Sequence, residues 1–284
     1  MKFLLITLFL PLVLEASIFN GDSRYEAQQD GSPEIIKRAR SVPAIFRNSA
    51  LKKRSDGDFD SINWSPQNLG FCSDANFAGQ PHLANCSATL ITPDLVLTAA
   101  HCLEQAELDC SGYKIVFDFA LGQSLEKFSK DQVYDCKEVV YYKFDQTLAS
   151  DDLAIIRLDR RVNDRSPIPV RKKLPTMDTH LSMIGYPLGL PQKADDDGKV
   201  LSIDSKNVSF KHDLDTFSCN SGGPIFDEAG QLTGVLVRGT GPNQTSRTNS
   251  NCYDWSVAGQ SDYAEANSIA HLKKLFKKLG VKLN

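Results

Sequence analysis

Three short stretches of this chain carry residue types capable of nucleophilic chemistry. His101 follows the apolar run Leu97-Thr98-Ala99-Ala100 and precedes Cys102. An imidazole there can take and return a proton near neutral pH, although a single histidine beside an apolar run equally suits a structural role. Asp151 and Asp152 open a second apolar run, Leu153-Ala154-Ile155-Ile156. An acid at the mouth of a buried strand can fix an imidazole's tautomer and stabilise its cation, or it can simply lead the strand out of a turn. Ser221 lies in Cys219-Asn220-Ser221-Gly222-Gly223-Pro224, among small residues. Such a turn can expose a hydroxyl and aim backbone N–H groups at a developing oxyanion, and it also fits an ordinary glycine turn. Together, in the order His, Asp, Ser, the three supply base, orienting acid and nucleophile.

Groups with these duties need a rigid frame, and short apolar runs supply the candidates. They cover 42–46, 88–91, 95–99, 113–119, 139–142, 153–158, 181–186, 200–203, 223–226 and 232–237, cut by polar turns. Many short, partly β-branched runs predict an all-β sandwich or barrel. From Glu265 to Leu279 the period changes: Ile269, Leu272, Leu275, Phe276 and Leu279 share one helical face. Lys273, Lys274, Lys277 and Lys278 lie off that face, toward the end that favours cations, and Gly280 follows as a terminator. Lys52-Lys53-Arg54 and Asp195-Asp196 are expected to be solvated turns.

The chain has 284 residues, 41% hydrophobic and 24% charged, with a net charge of −3. That composition excludes a mainly disordered chain. It shows no electrostatic footprint for nucleic acid or an anionic membrane. Met1-Lys2, the uncharged run from Phe3 to Leu14, and Ala16-Ser17 form the pattern of a signal peptide cut after Ala16. The run is too short for a membrane span, so residues 17–284 are expected to be secreted or periplasmic. In an oxidising compartment most of the seven cysteines should pair, and the odd number leaves at least one thiol over. No CxxC pair or close Cys/His cluster suggests a metal.

The chain resembles the trypsin/chymotrypsin-like serine peptidases. Cys86-Ser87-Ala88-Thr89-Leu90-Ile91 with Leu97-Thr98-Ala99-Ala100-His101-Cys102 is similar to that family's histidine block. Asp152-Leu153-Ala154-Ile155-Ile156 is similar to its aspartate block, and Asn220-Ser221-Gly222-Gly223-Pro224 to its serine block. Gly234 to Gly239 falls where the family lines its substrate cleft. Asn220, His212-Asp213-Leu214-Asp215-Thr216 and Gly185-Tyr186-Pro187 resemble the bacterial glutamyl-endopeptidase-like branch.

The resemblance implies a chymotrypsin-like fold: two packed antiparallel β-barrels, about 42–159 and 167–263, with a closing C-terminal α-helix at about 265–279. It implies an endopeptidase acting through an acyl-enzyme, with Ser221 as nucleophile, His101 as base and Asp152, rather than Asp151, as orienting acid. The backbone N–H groups of Cys219 and Ser221 would hold the oxyanion. Asp215 lies at the offset of the family's pocket acid, which would favour Lys or Arg beside the scissile bond, with Gly239 in the cleft wall. A Cys86–Cys102 disulfide follows from the resemblance. Cys110–Cys136 would close a modest loop around the run at 113–119, and Cys72, Cys219 and Cys252 are left unassigned. No cofactor or metal is expected, the substrate is protein or peptide, and a monomer suffices. Two departures stand out. Asn220 replaces the aspartate that receives the freed N-terminus in animal trypsins. Cys219 replaces a glycine, so a trypsin-fold binding or regulatory protein with an altered oxyanion hole is the alternative reading. An α/β-hydrolase esterase is disfavoured by the residue order and the lack of GxSxG.

Overall fold

Alternating apolar positions become strands when each face has something to bury against, and the run opening at Asp152 shows the principle. In the computed structural model, which describes residues 17–62, 69–103, 109–144, 151–206 and 208–284, Asp152–Leu158 is a strand. Leu153 and Ile155 enter one apolar cluster, while Ala154, Ile156 and Leu158 enter another. The expected signal peptide, residues 1–16, lies outside the described residues.

The first half forms a seven-stranded antiparallel sheet. Its order is Cys86–Ser87, Ala44–Arg47, Tyr113–Val116, Val133–Phe144, Asp152–Leu158, Leu95–Thr98 and Thr89–Thr92. The two outermost strands are separated in sequence only by Ala88, so the sheet must curl. Ala88 and Leu90 complete the closure by donating to the carbonyls of Pro43 and Ser41.

The second half repeats the device. Lys193–Ile203, His180–Gly185, Pro224–Asp227, Leu232–Gly239, Ala264–Ser268 and Ser209–His212 follow one another, and the last pairs back onto the first. Leu181, Met183, Val200, Phe210, Ile225, Leu236 and Ala266 share an apolar cluster within this barrel. A separate layer containing Leu97, Ile155, Tyr186, Val235 and Phe276 joins the halves. The architecture is the expected all-β pair of barrels.

Two local expectations need correction, and one element adds to them. The closing helix does not start at Glu265: Ala264–Ser268 is a barrel strand, a 3₁₀ turn covers Ala270–Leu272, and the α-helix is Lys273–Lys278. Ala264 and Ala266 are small enough to pack inside the barrel, which claims them before the helical period begins. Asp195 is not a solvated turn residue but is 3% exposed within Lys193–Ile203. Finally, the N-terminal segment is part of the second barrel, with Tyr25–Glu26 adding a strand beside Lys193–Ile203. A short helix, Pro33–Ala39, then leads to the first barrel, its N-terminus capped by Ser32.

The disulfides are Cys86–Cys102, Cys110–Cys136 and Cys72–Cys252, and Cys219 is the free thiol.

Candidate active site

His101 sits in a single 3₁₀ turn, Ala100–Cys102, directly after the strand Leu95–Thr98. Neighbouring Cys102 is tied back to Cys86, which anchors that turn to the opposite end of the sheet. The strand of Asp152 pairs with the strand before His101, Ala154 lying opposite Thr98. This pairing brings the two side chains together: His101 Nδ1 lies 2.6 Å from Asp152 Oδ2, and Oδ1 accepts from the His101 backbone N–H at 2.9 Å. Both carboxylate oxygens therefore face one histidine, which fixes its ring and leaves Nε2 for chemistry. The Asp152 backbone N–H donates to Oδ1 of Asn267, a buried residue of the second barrel, at 2.6 Å.

Asp151 turns elsewhere. Its oxygens lie 2.7 Å from Lys143 Nζ and 2.9 Å from His271 Nε2. Burial pushes its carboxyl up, but these two neighbours outweigh burial and hold it below the usual value.

Ser221 is contributed by the second barrel, in the turn before Pro224–Asp227. It is 5% exposed, and His101 Nε2 makes no hydrogen bond among the described residues. Links of this kind often tighten only when substrate arrives. Gly222, at φ 83°, is required here because a Cβ would run into the Ser87 carbonyl and the Thr98 hydroxyl.

Cys219 has φ 70°, the left-handed conformation that a glycine adopts freely. Its thiol is part-buried, and burial pushes its pKa up to about 11. Among the described residues, neither the Cys219 nor the Ser221 backbone N–H has an acceptor within the chain. Ser87, from the first barrel, approaches this loop: its backbone N–H donates to Ser221 O at 2.8 Å and its hydroxyl to Cys219 O at 3.1 Å.

Asp215 is placed differently from a pocket acid open to substrate. It is 2% exposed, and its oxygens accept from Phe19 N at 2.6 Å and Ser23 N at 3.0 Å. Asp195 lies beside it, accepting from the Asp215 backbone N–H at 2.6 Å, and the Ser23 hydroxyl reaches both carboxylates. Burial, helped by the Asp195 charge, pushes the Asp215 pKa up to about 7. The N-terminal segment is thus held by Asp215 and Asp195. Asn220 is buried beside this cluster, lining a small cavity with Arg24, Asp195 and Asp215, and its Oδ1 makes no hydrogen bond among the described residues.

Gly239 ends the strand Leu232–Gly239 opposite Ala264, and preceding Arg238 approaches Glu265 at 3.7 Å. His212 is fully buried, with burial lowering its pKa to about 3, which makes it a neutral packing residue. Cys86, His101 and Cys102 are close enough to suggest a metal cluster, but the two sulfurs are spent on their disulfide.

No sequence signal marked Asn267 or the pairing of Phe19 and Ser23 with Asp215, and Ser87 stood in the histidine block without a role of its own. Each is a contact between residues far apart in the chain, without a motif of its own.

Two closed antiparallel barrels, one carrying a His–Asp pair and the other a serine in a glycine turn, define the class of chymotrypsin-like serine peptidases. A family profile described as trypsin-like peptidase domain matches residues 86–235, a little over half the chain. The chain belongs to this family, which makes it a serine-type endopeptidase. Among solved structures it is similar to neuropsin, a serine protease expressed in the limbic system of mouse brain. There the identity is 16%, the TM-score 0.58, and coverage 93% of this chain and 100% of that one. A Glu endopeptidase in complex with MPD is similar at 16% identity and TM-score 0.57, covering 93% of this chain and 98% of that one. At such identity these likenesses establish the fold alone.

Proposed function

We propose that this chain is an exported endopeptidase that cleaves protein or peptide substrates, working as a monomer, with His101, Asp152 and Ser221 as its triad. Ser221 attacks the scissile carbonyl, His101 takes its proton and returns it to the leaving amine, and Asp152 keeps Nδ1 protonated and stabilises the imidazolium. The Cys219 and Ser221 N–H groups receive the oxyanion. The observation that carries this reading is the two-point contact of Asp152 with His101, at 2.6 and 2.9 Å. Export rests on the signal-peptide pattern and agrees with the three disulfides.

The binding-protein alternative required Cys219 to spoil the oxyanion hole. Its glycine-like φ and its N–H without an internal acceptor favour a working hole instead. A preference for Lys or Arg draws no support from Asp215, whose carboxyl is engaged by Phe19 and Ser23.

Labelling of the purified mature protein with a fluorophosphonate tests the assignment. Covalent labelling of the wild type, absent from Ser221→Ala and from His101→Ala, is the expected result. A folded wild type that neither labels nor cleaves a mixed peptide library would overturn it.

A further inference from the structure

The oxyanion-binding role proposed for Cys219 raises a physical question. An L-residue resists a left-handed backbone because its Cβ approaches the following carbonyl, so something outside the residue must hold it there.

The peptide planes on both sides of Cys219 are pinned by hydrogen bonds. On one side Ser218 O accepts from Leu188 N at 2.6 Å. In a trans peptide C=O and N–H point oppositely, so this bond directs the Cys219 N–H away from Leu188. On the other side Cys219 O accepts from the Ser87 hydroxyl at 3.1 Å. With both planes held, φ and ψ at 219 have little freedom left.

Ser87 is fully buried, and each of its polar groups is used. Its hydroxyl donates to Cys219 and accepts from Tyr186 N at 3.2 Å, and its carbonyl accepts from Thr98 Oγ1 at 2.8 Å. Its N–H holds Ser221 O at 2.8 Å. The side chain comes from the barrel of His101, whereas Tyr186, Cys219 and Ser221 belong to the other half.

We infer that Ser87 is a positioning residue of this peptidase: its hydroxyl holds the Cys219 carbonyl and so, together with the Leu188 bond to the preceding peptide, fixes the left-handed backbone that keeps the Cys219 N–H aimed at the oxyanion. This rests on the triad and oxyanion hole proposed above. Ser87 touches no reacting atom and acts through residue 219. Glycine at 219 would adopt the same backbone unaided and would need the hydroxyl less.

A double-mutant cycle on the full mature chain tests this, with kcat and KM measured on a peptide amide for wild type, Ser87→Ala, Cys219→Gly and the double variant. Ser221→Ala supplies the blank. Ser87→Ala is expected to lower kcat about tenfold, the loss of one hydrogen bond to the loop, with KM little changed. In the Cys219→Gly background the same substitution should cost less than about threefold, because the backbone no longer depends on the restraint. Equal losses in both backgrounds, or a change confined to KM, would overturn the inference. Should Ser87→Ala fail to fold, Ser87→Thr is compared with Ser87→Val. Threonine retaining kcat and valine losing it upholds the role, and equal loss overturns it. A wild type without turnover above the Ser221→Ala blank would overturn the triad reading and this inference together, whereas an active wild type with an additive cycle would overturn this inference alone.

Discussion

The buried pair Asp195 and Asp215 predicts an unusual pH dependence of stability. Burial, and then the Asp195 charge, push the Asp215 pKa from an ordinary 3.8 up to about 7. A group whose pKa is raised by folding stabilises fully below its unfolded pKa, and that stability drains away as pH rises through the folded pKa. The window is therefore about pH 4 to 7, and its full depth is about 4 kcal/mol at ~1.4 kcal/mol per pH unit. Asp215→Asn imitates the protonated carboxyl and does not titrate. Its stability relative to wild type should rise by up to about 4 kcal/mol between pH 4 and pH 8. Urea unfolding at several pH values, in a Ser221→Ala background to prevent self-cleavage, reads this difference directly. Carboxylates remote from residue 215 cancel in the comparison, whereas Asp195, coupled to it, does not. A variant that follows the wild-type profile at a constant offset would refute the reasoning. A selective loss of activity toward Lys and Arg substrates in the Ser221-intact Asp215→Asn enzyme would return Asp215 to the specificity pocket.

Two further outcomes are expected. Gly222→Ala should destabilise the chain by roughly 3 kcal/mol or more and abolish turnover. It adds left-handed strain to a collision with the Ser87 carbonyl that no side-chain rotation relieves, and calorimetry together with a peptide assay checks both effects. Thiol titration should find one reactive cysteine in the unfolded, unreduced protein, Cys219. In the folded protein at pH 8 that cysteine should react far more slowly, because its pKa of about 11 leaves little thiolate. A second fast thiol would mean that a disulfide is absent.

The legible parts of this sequence were those written locally. The apolar run ahead of His101 and the run behind Asp152 specify neighbouring strands, and strand pairing then brings the two side chains together. Ser221 sits among glycines because only a residue without Cβ fits at 222. What escaped was written between distant segments. Asp215 has the offset of a pocket acid, but offset does not say which backbone N–H groups reach it, and Phe19 and Ser23 do. Asp195 sits beside Asp196 and near Gly198, so it read as a turn until the N-terminal strand covered it. The early start of the predicted helix failed similarly: Ala264 and Ala266 suit helix and barrel interior alike, and tertiary packing decides between them.

The chain's first strand is docked far from its neighbours in sequence. Tyr25–Glu26 pairs with Lys193–Ile203, and Phe19 and Ser23 bond to Asp215. A chain emerging from its N-terminus therefore has no template for its opening segment until most of the molecule exists. The first barrel can close among its own strands within residues 44–158, whereas the opening segment docks late, and contacts so distant in sequence place folding in the slow range of about milliseconds to seconds.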